Sequence, residues 1–203
     1  MADTNITKQG HLLKLVDNGD GTFSHAVELL KGGTYIGGTN PLQVKSNGSQ
    51  VYTTITRPNN TTAYTAGDVV GADPASNMIF AEVARSNGSD VIIMGCHIQM
   101  ETNAVPSGMG AFRLHLYSAA PTAIADNSAY NLPSGDRASY LGFINLDTPK
   151  DLGDTLWSEN NNVNKKIQLA SNSTSLYGIV ETIGAFTPAA SVVMEVTLEV
   201  VEV

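Results

Sequence analysis

The stretch VVMEVTLEV, residues 192–200, decides the fold class. Met194, Val196, Leu198 and Val200 alternate with Glu195, Thr197 and Glu199, and a period of two places these sets on opposite faces of an extended strand. One face is buried and the other wet. Upstream, DVIIMGCHIQM at 90–100 alternates in the same way, which predicts Ile92, Met94, Cys96, Ile98 and Met100 on the core side and His97 and Gln99 on the other. Six further runs obey the same grammar, at 51–57, 78–86, 111–118, 139–146, 164–170 and 175–185. Turn formers separate them, among them Arg57-Pro58-Asn59-Asn60, Ser86-Asn87-Gly88-Ser89, Pro106-Ser107-Gly108 and Asn160-Asn161-Asn162. Short strands punctuated in this way predict an all-β, jelly-roll-like antiparallel sandwich over residues 50–203. Within it, the small residues of 119–138 leave room for a helical turn as an insertion.

Composition agrees. Charged residues make up 15% of the 203, below the roughly 25% of an ordinary soluble domain, while Thr, Ser, Asn and Gly are abundant. Strands and turns use such residues; helices draw on Ala, Leu, Glu, Lys and Arg. A net charge of −8 argues against a nucleic-acid partner, which calls for a basic footprint to displace counterions. No apolar run is long enough to span a bilayer, so no membrane partner is expected, and MADTNITKQG lacks the charged-then-apolar profile of a secretion signal.

The N-terminal part reads differently. In LVDNGDGTFSHAVELL, residues 15–30, the cluster Asp17-Asn18-Gly19-Asp20-Gly21 is either a calcium loop or a turn. Glu28 falls at position 12 of such a loop, but Gly19 and Gly21 stand where oxygen ligands belong, and Thr22 replaces the required glycine. The cluster therefore predicts an Asn-Gly/Asp-Gly hairpin or an extended arm over residues 1–30. Residues 31–49, with five glycines and one proline, read as a linker. Leu12, Leu13, Leu15, Val16, Phe23, Val27, Leu29 and Leu30 make the arm apolar, and an isolated hairpin is too small to bury them itself. They are expected to bury against the parent domain, another subunit or a further partner.

Catalytic signals are weak. The four histidines are scattered, and His97 with His115 is the pair that neighbouring antiparallel strands could bring to one metal ion, with Glu101 and Arg113 nearby. Histidines on a wet strand face need no such role, so no metal, cofactor or catalytic residue is assigned. Cys96 lies in the apolar set and reads as a small buried hydrophobe. No nucleophile elbow, phosphate loop, dinucleotide fingerprint or zinc-protease helix motif occurs. The chain is not expected to be an enzyme. Tyr117, Tyr130, Tyr140, Tyr177 and the sole tryptophan, Trp157 in the apparent loop GDTLWSENNN, are candidates for a sugar platform or an interface. Of these, Trp157 and Tyr177 are the positions singled out.

Three stretches carry a resemblance: ITRPNNTTAYTAGDVVG (55–71), FRLHLYSAAPTAIADNSAYNLPSGDRASYLGFINL (112–146) and LYGIVETIGAFTPAASVVMEVTLEV (176–200). Together with LLKLVDNGDGTFSHAVEL they resemble structural proteins of tailed-bacteriophage virions, in particular jelly-roll capsid decoration (cement) proteins. The resemblance implies a homotrimer on the capsid exterior, assembled in the host cytoplasm, with the major capsid protein as partner and no catalytic residues. Similar β domains also serve in tails and fibres, which leaves a glycan-binding tail or fibre module as the second expectation.

Overall fold

A computed structural model describes residues 48–203 in full, together with the backbone of five short strands between residues 5 and 35. The chain divides into two compact units, Met1–Lys45 and Ser46–Val203. In the first, β1 (Asn5–Lys8), β2 (His11–Asp17) and β3 (Phe23–Ala26) form an antiparallel sheet in that order, and β4 (Leu30–Lys31) pairs with β5 (Thr34–Tyr35). Asp17 pairs with Phe23, so the chain reverses across the Asn-Gly/Asp-Gly cluster. The turn residues 18–22 themselves lie outside the described residues.

The second unit is an antiparallel β-sandwich. Its first sheet contains β6 (Gly48–Thr56), β9 (Asp90–Met100), β12 (Lys150–Asp151), β13 (Leu156–Asn160), β14 (Lys165–Gln168) and β16 (Val193–Glu202). Its second contains β7 (Val69–Val70), β8 (Met78–Phe80), β10 (Phe112–Tyr117), β11 (Tyr140–Leu146) and β15 (Leu176–Thr182). The strand orders are β12-β13-β9-β16-β6, with β14 also on β9, and β11-β10-β15-β7, with β8 also on β15. Following the chain from β6, the path crosses to β7 and β8, back to β9, over to β10 and β11, back to β13 and β14, then to β15 and finally β16. Each late strand fills the gap between two early ones: β16 separates β6 from β9, and β15 separates β7 from β10. That is the path of a jelly roll.

The core lies between the sheets. From the first come Ile55, Val91, Ile93, Cys96, Ile98, Met100, Leu156, Ile167, Met194, Val196, Leu198 and Val200; from the second Val70, Met78, Phe80, Phe112, Leu114, Leu116, Ile144, Leu146, Leu176 and Val180. The alternation read from 192–200 holds for the core residues Met194, Val196, Leu198 and Val200, although Thr197 on the other face is buried as well. That of 90–100 changes phase. Glu199 pairs with Gly95 and Val200 with Ile93, so Met94 is an extra residue, a β-bulge. As a result Val91 and Ile93 face the core, and Ile92 and Met94, expected there, do not; Met94 is 43% exposed.

Two further departures from the expected strands matter. The run 78–86 is extended only over Met78–Phe80. LWSEN, expected to be loop, is the strand β13. The helical turn expected within 119–138 is a 3-10 turn at Ser134–Asp136. Gly108 and Gly110, between β9 and β10, owe their identity to close backbone packing: a Cβ on Gly108, where φ is +83°, would meet the Ala185 carbonyl oxygen at 2.3 Å, and one on Gly110 would lie 3.1 Å from Gly184.

Candidate functional site

Trp157 stands where the chain passes from the second sheet into the first. Along β13, Leu156 and Ser158 point inward while Trp157 and Glu159 face the outside of the sheet. The Trp157 ring stacks on His97 of β9, centroids 4.4 Å apart and planes 19° from parallel, and its Nε1–H donates to Glu159 Oε2 at 3.0 Å. Both contacts follow from register: Glu159 lies directly across from His97, and the indole leans along its own strand toward that pair. Lys150 on β12 lies opposite Trp157 on the other side.

Beside the indole opens a cleft of about 440 Å³, bounded by residues 147–150 on one side and 157–162 on the other. Three hydrogen bonds fix its walls. Ser158, almost fully buried, donates its hydroxyl to the Asp147 carbonyl at 2.5 Å. Asn160 donates to the Asn145 carbonyl at 2.9 Å and accepts from the Asn162 backbone N–H at 3.0 Å, holding the turn after β13 against β11.

Tyr177 lies on β15 in the other sheet, so Trp157 and Tyr177 form no common platform. Tyr177 packs instead at the margin of a second apolar cluster, Val69, Tyr117 and Ile179, on the outer face of that sheet. The segment 118–139 lies over this cluster and adds Ile124, Tyr130 and Leu132. Its backbone is tied down by Val69 N to Ser128 O, Asn127 N to Val69 O and Tyr130 N to Gly67 O, at 2.9, 2.9 and 2.8 Å.

Beneath the segment sits His115. Tyr130 stacks on its ring at 3.7 Å and 14°. Nε2 faces Glu181 Oε2 at 2.9 Å, and Nδ1 faces the Tyr140 hydroxyl at 3.0 Å. A carboxylate takes a proton and a hydroxyl gives one, so the neutral Nε2–H imidazole satisfies both partners. Glu181 also accepts from Arg113 Nη1 at 3.0 Å, and the Tyr117 and Tyr130 hydroxyls meet at 2.7 Å. Burial pushes His115 below the ordinary histidine range, against the upward pull of Glu181. The same burial raises the Tyr140 hydroxyl to about 12.

One end of the segment is held by a buried ion pair. Arg57 Nη2 lies 2.9 Å from Asp126 Oδ2, both side chains being 3% exposed. Tyr64 donates to Asp126 Oδ1 at 2.5 Å and accepts from Arg57 Nε, Gly71 N–H donates to the same Oδ1 at 3.0 Å, and Arg57 Nη1 donates to the Ala189 carbonyl at 2.7 Å.

His97 and His115, the pair weighed as possible metal ligands, are not brought together. The two histidines sit on the outer faces of opposite sheets, with the core between them. Among the described residues no group of three or more His, Cys, Asp and Glu side chains could hold a metal ion. Cys96 is buried, and desolvation raises its thiol to about 12. Of the apolar arm residues, Leu12, Leu13, Leu15 and Val16 fall in β2, Phe23 opens β3 and Leu30 opens β4; Val27 and Leu29 lie outside the described residues. The His115 network was not expected from the sequence, although the alternation Arg113, His115, Tyr117 along β10 already put all three on one face.

No protein-family model matches the chain, and no curated protein matches it. Among solved structures, one titled as the three-dimensional structure of Cocksfoot mottle virus is similar at 12% identity and a TM-score of 0.24, over 83% of this chain and 91% of that one. At this level the likeness decides neither fold nor role.

Proposed function

We propose that the protein is a structural component of a tailed-bacteriophage virion, a capsid decoration protein that acts as a homotrimer on the capsid exterior and binds the major capsid protein. The observation that carries this reading is the pairing of a jelly-roll sandwich with a separate N-terminal β unit, Met1–Lys45. Jelly rolls also serve in lectins and in cupins, so the fold alone does not select a role. The three stretches that resemble virion proteins supply the selection. A rigid body joined to an apolar appendage suits a clamp across subunit boundaries, since burying arm surface contributes about 25 cal/mol per Å² before association costs. A closed cyclic oligomer is the natural form for such a unit.

Two measurements test this. Light scattering on the full chain should give a particle three times its 21.4 kDa. Antibody labelling of purified virions should decorate the whole head. Label confined to the tail, or absent from particles, would overturn the capsid assignment.

A further inference from the structure

We propose that the cleft beside Trp157 is a binding site for neutral saccharide. The inference goes beyond the virion role and stands or falls separately from it.

The lining selects the ligand class. One aromatic side chain, Trp157, is surrounded by polar ones, so an apolar ligand would gain little there. The charges are of both signs: Lys150, Asp147 and Glu159 all belong to the cleft lining. Lys150 opposes a cation and the two carboxylates oppose an anion, so neither is favoured. A polyhydroxylated neutral molecule suits all three, because a hydroxyl both donates to a carboxylate and accepts from an ammonium. Asn161 and Asn162 add amides, which donate and accept at once.

Preorganisation points the same way. The indole is fixed before any ligand arrives: His97 supports one face and Glu159 takes its N–H. A held aromatic ring presents stacking area to the C–H face of a pyranose with little ordering cost. The walls are held by Ser158 and Asn160, whose hydrogen bonds are internal. By contrast, the side chains of Asp147, Lys150, Asn161 and Asn162 have no hydrogen-bond or ion-pair partner among the described residues, which leaves them free to meet hydroxyls. A volume of about 440 Å³ accommodates one to two sugar rings.

Trp157 is the only tryptophan, so its fluorescence reports on this cleft alone. The full-length protein is titrated with short neutral oligosaccharides of glucose, galactose, mannose and N-acetylglucosamine, with an oligouronate and a lysine-rich peptide as charged comparators. At least one neutral oligosaccharide should give a saturable emission change. The exposed double variant Asn161→Ala/Asn162→Ala, which keeps the reporter and breaks no internal bond, should weaken it at least about tenfold. Calorimetry on Trp157→Ala, checked for folding by circular dichroism, should show no heat of binding. No response to any neutral oligosaccharide up to about 10 mM would overturn the proposal. So would a response to the charged comparators alone, or undiminished binding by the double variant. Because the readout involves no virion, loss of the capsid assignment leaves this result intact, and the reverse also holds.

Discussion

The two sheets of the sandwich present outer faces built from the same kind of alternating strand, yet among the described residues one has a covering segment and the other does not. On the β10–β15 face, Arg113, His115 and Tyr117 stand beside Glu181, Ile179 and Tyr177, and segment 118–139 closes over them. On the β9–β16 face, His97 and Gln99 stand beside Thr197 and Glu195, with Trp157 at one margin and Tyr52, 66% exposed, at the other. Each face carries one histidine. His115 is 3% exposed and has lost access to solvent at both ring nitrogens, whereas the His97 ring supports an indole at the surface. The covering segment makes the difference, and the network beneath it is the cost of burying polar residues on a second layer: each must find a partner there.

The strongest way to break this contrast is to release the cover. Asp126→Ala leaves Arg57 buried without its carboxylate and removes acceptors from Tyr64 and Gly71, which should cost about 3–5 kcal/mol in denaturant unfolding. A loss below about 1 kcal/mol would mean that the anchor is dispensable and that other contacts hold the segment. Tyr130→Ala removes the ring over His115 and one hydroxyl of the Tyr117 pair, with an expected loss of about 2 kcal/mol because the residue is only half-buried.

A smaller effect concerns His115 and pH. His115 has a folded-state affinity for protons lowered by burial, while the unfolded chain takes a proton near the usual value of about 6.5. The unfolded state then binds more protons as pH falls below that value, so the contribution of neutral His115 is fully present above about pH 6.5 and is lost on acidification. The stability difference between the wild type and His115→Gln should therefore shrink from pH 7.5 to about pH 5. A constant difference would show that His115 does not titrate differently in the two states.

How much of this could be read beforehand depended on whether neighbours in sequence are neighbours in a sheet. VMEVTLEV showed which residues face the core, because β16 is central and carries no extra residue, but not that Thr197 on the other face would be 4% exposed. DVIIMGCHIQM had the same signal, but nothing in its composition marks Met94 as the extra residue, since a bulge is set by the partner strand. A cross-strand pairing of His97 with His115 is conceivable from sequence because β9 and β10 are consecutive. The connection between them, containing Pro106, Gly108 and Gly110, crosses to the other sheet, and its length already exceeded that of a tight hairpin. GDTLWSENNN reads as a loop by composition, yet Leu156 and Ser158 alternate with Trp157 and Glu159 as a strand requires. The Arg57–Tyr64–Asp126 triad joins positions up to 69 residues apart, and no local pattern encodes such a meeting.

The smallest effect belongs to the open face, and it sharpens the comparison by being small. Tyr52 points outward from the edge strand β6 with two-thirds of its surface in solvent, and Thr197 lies across from it. Replacing it by Thr exchanges one good strand former for another and exposes no buried group, so unfolding free energy should change by no more than about 0.5 kcal/mol. The corresponding change on the covered face, Tyr117→Thr, removes a ring that is 1% exposed together with its hydroxyl bond to Tyr130, and should cost several-fold more. Equal losses at the two positions would mean that Tyr52 is packed against something in solution. Among the described residues nothing covers Tyr52, so light scattering of Tyr52→Thr beside the wild type would test whether a second copy of the chain does, by the loss of an oligomer.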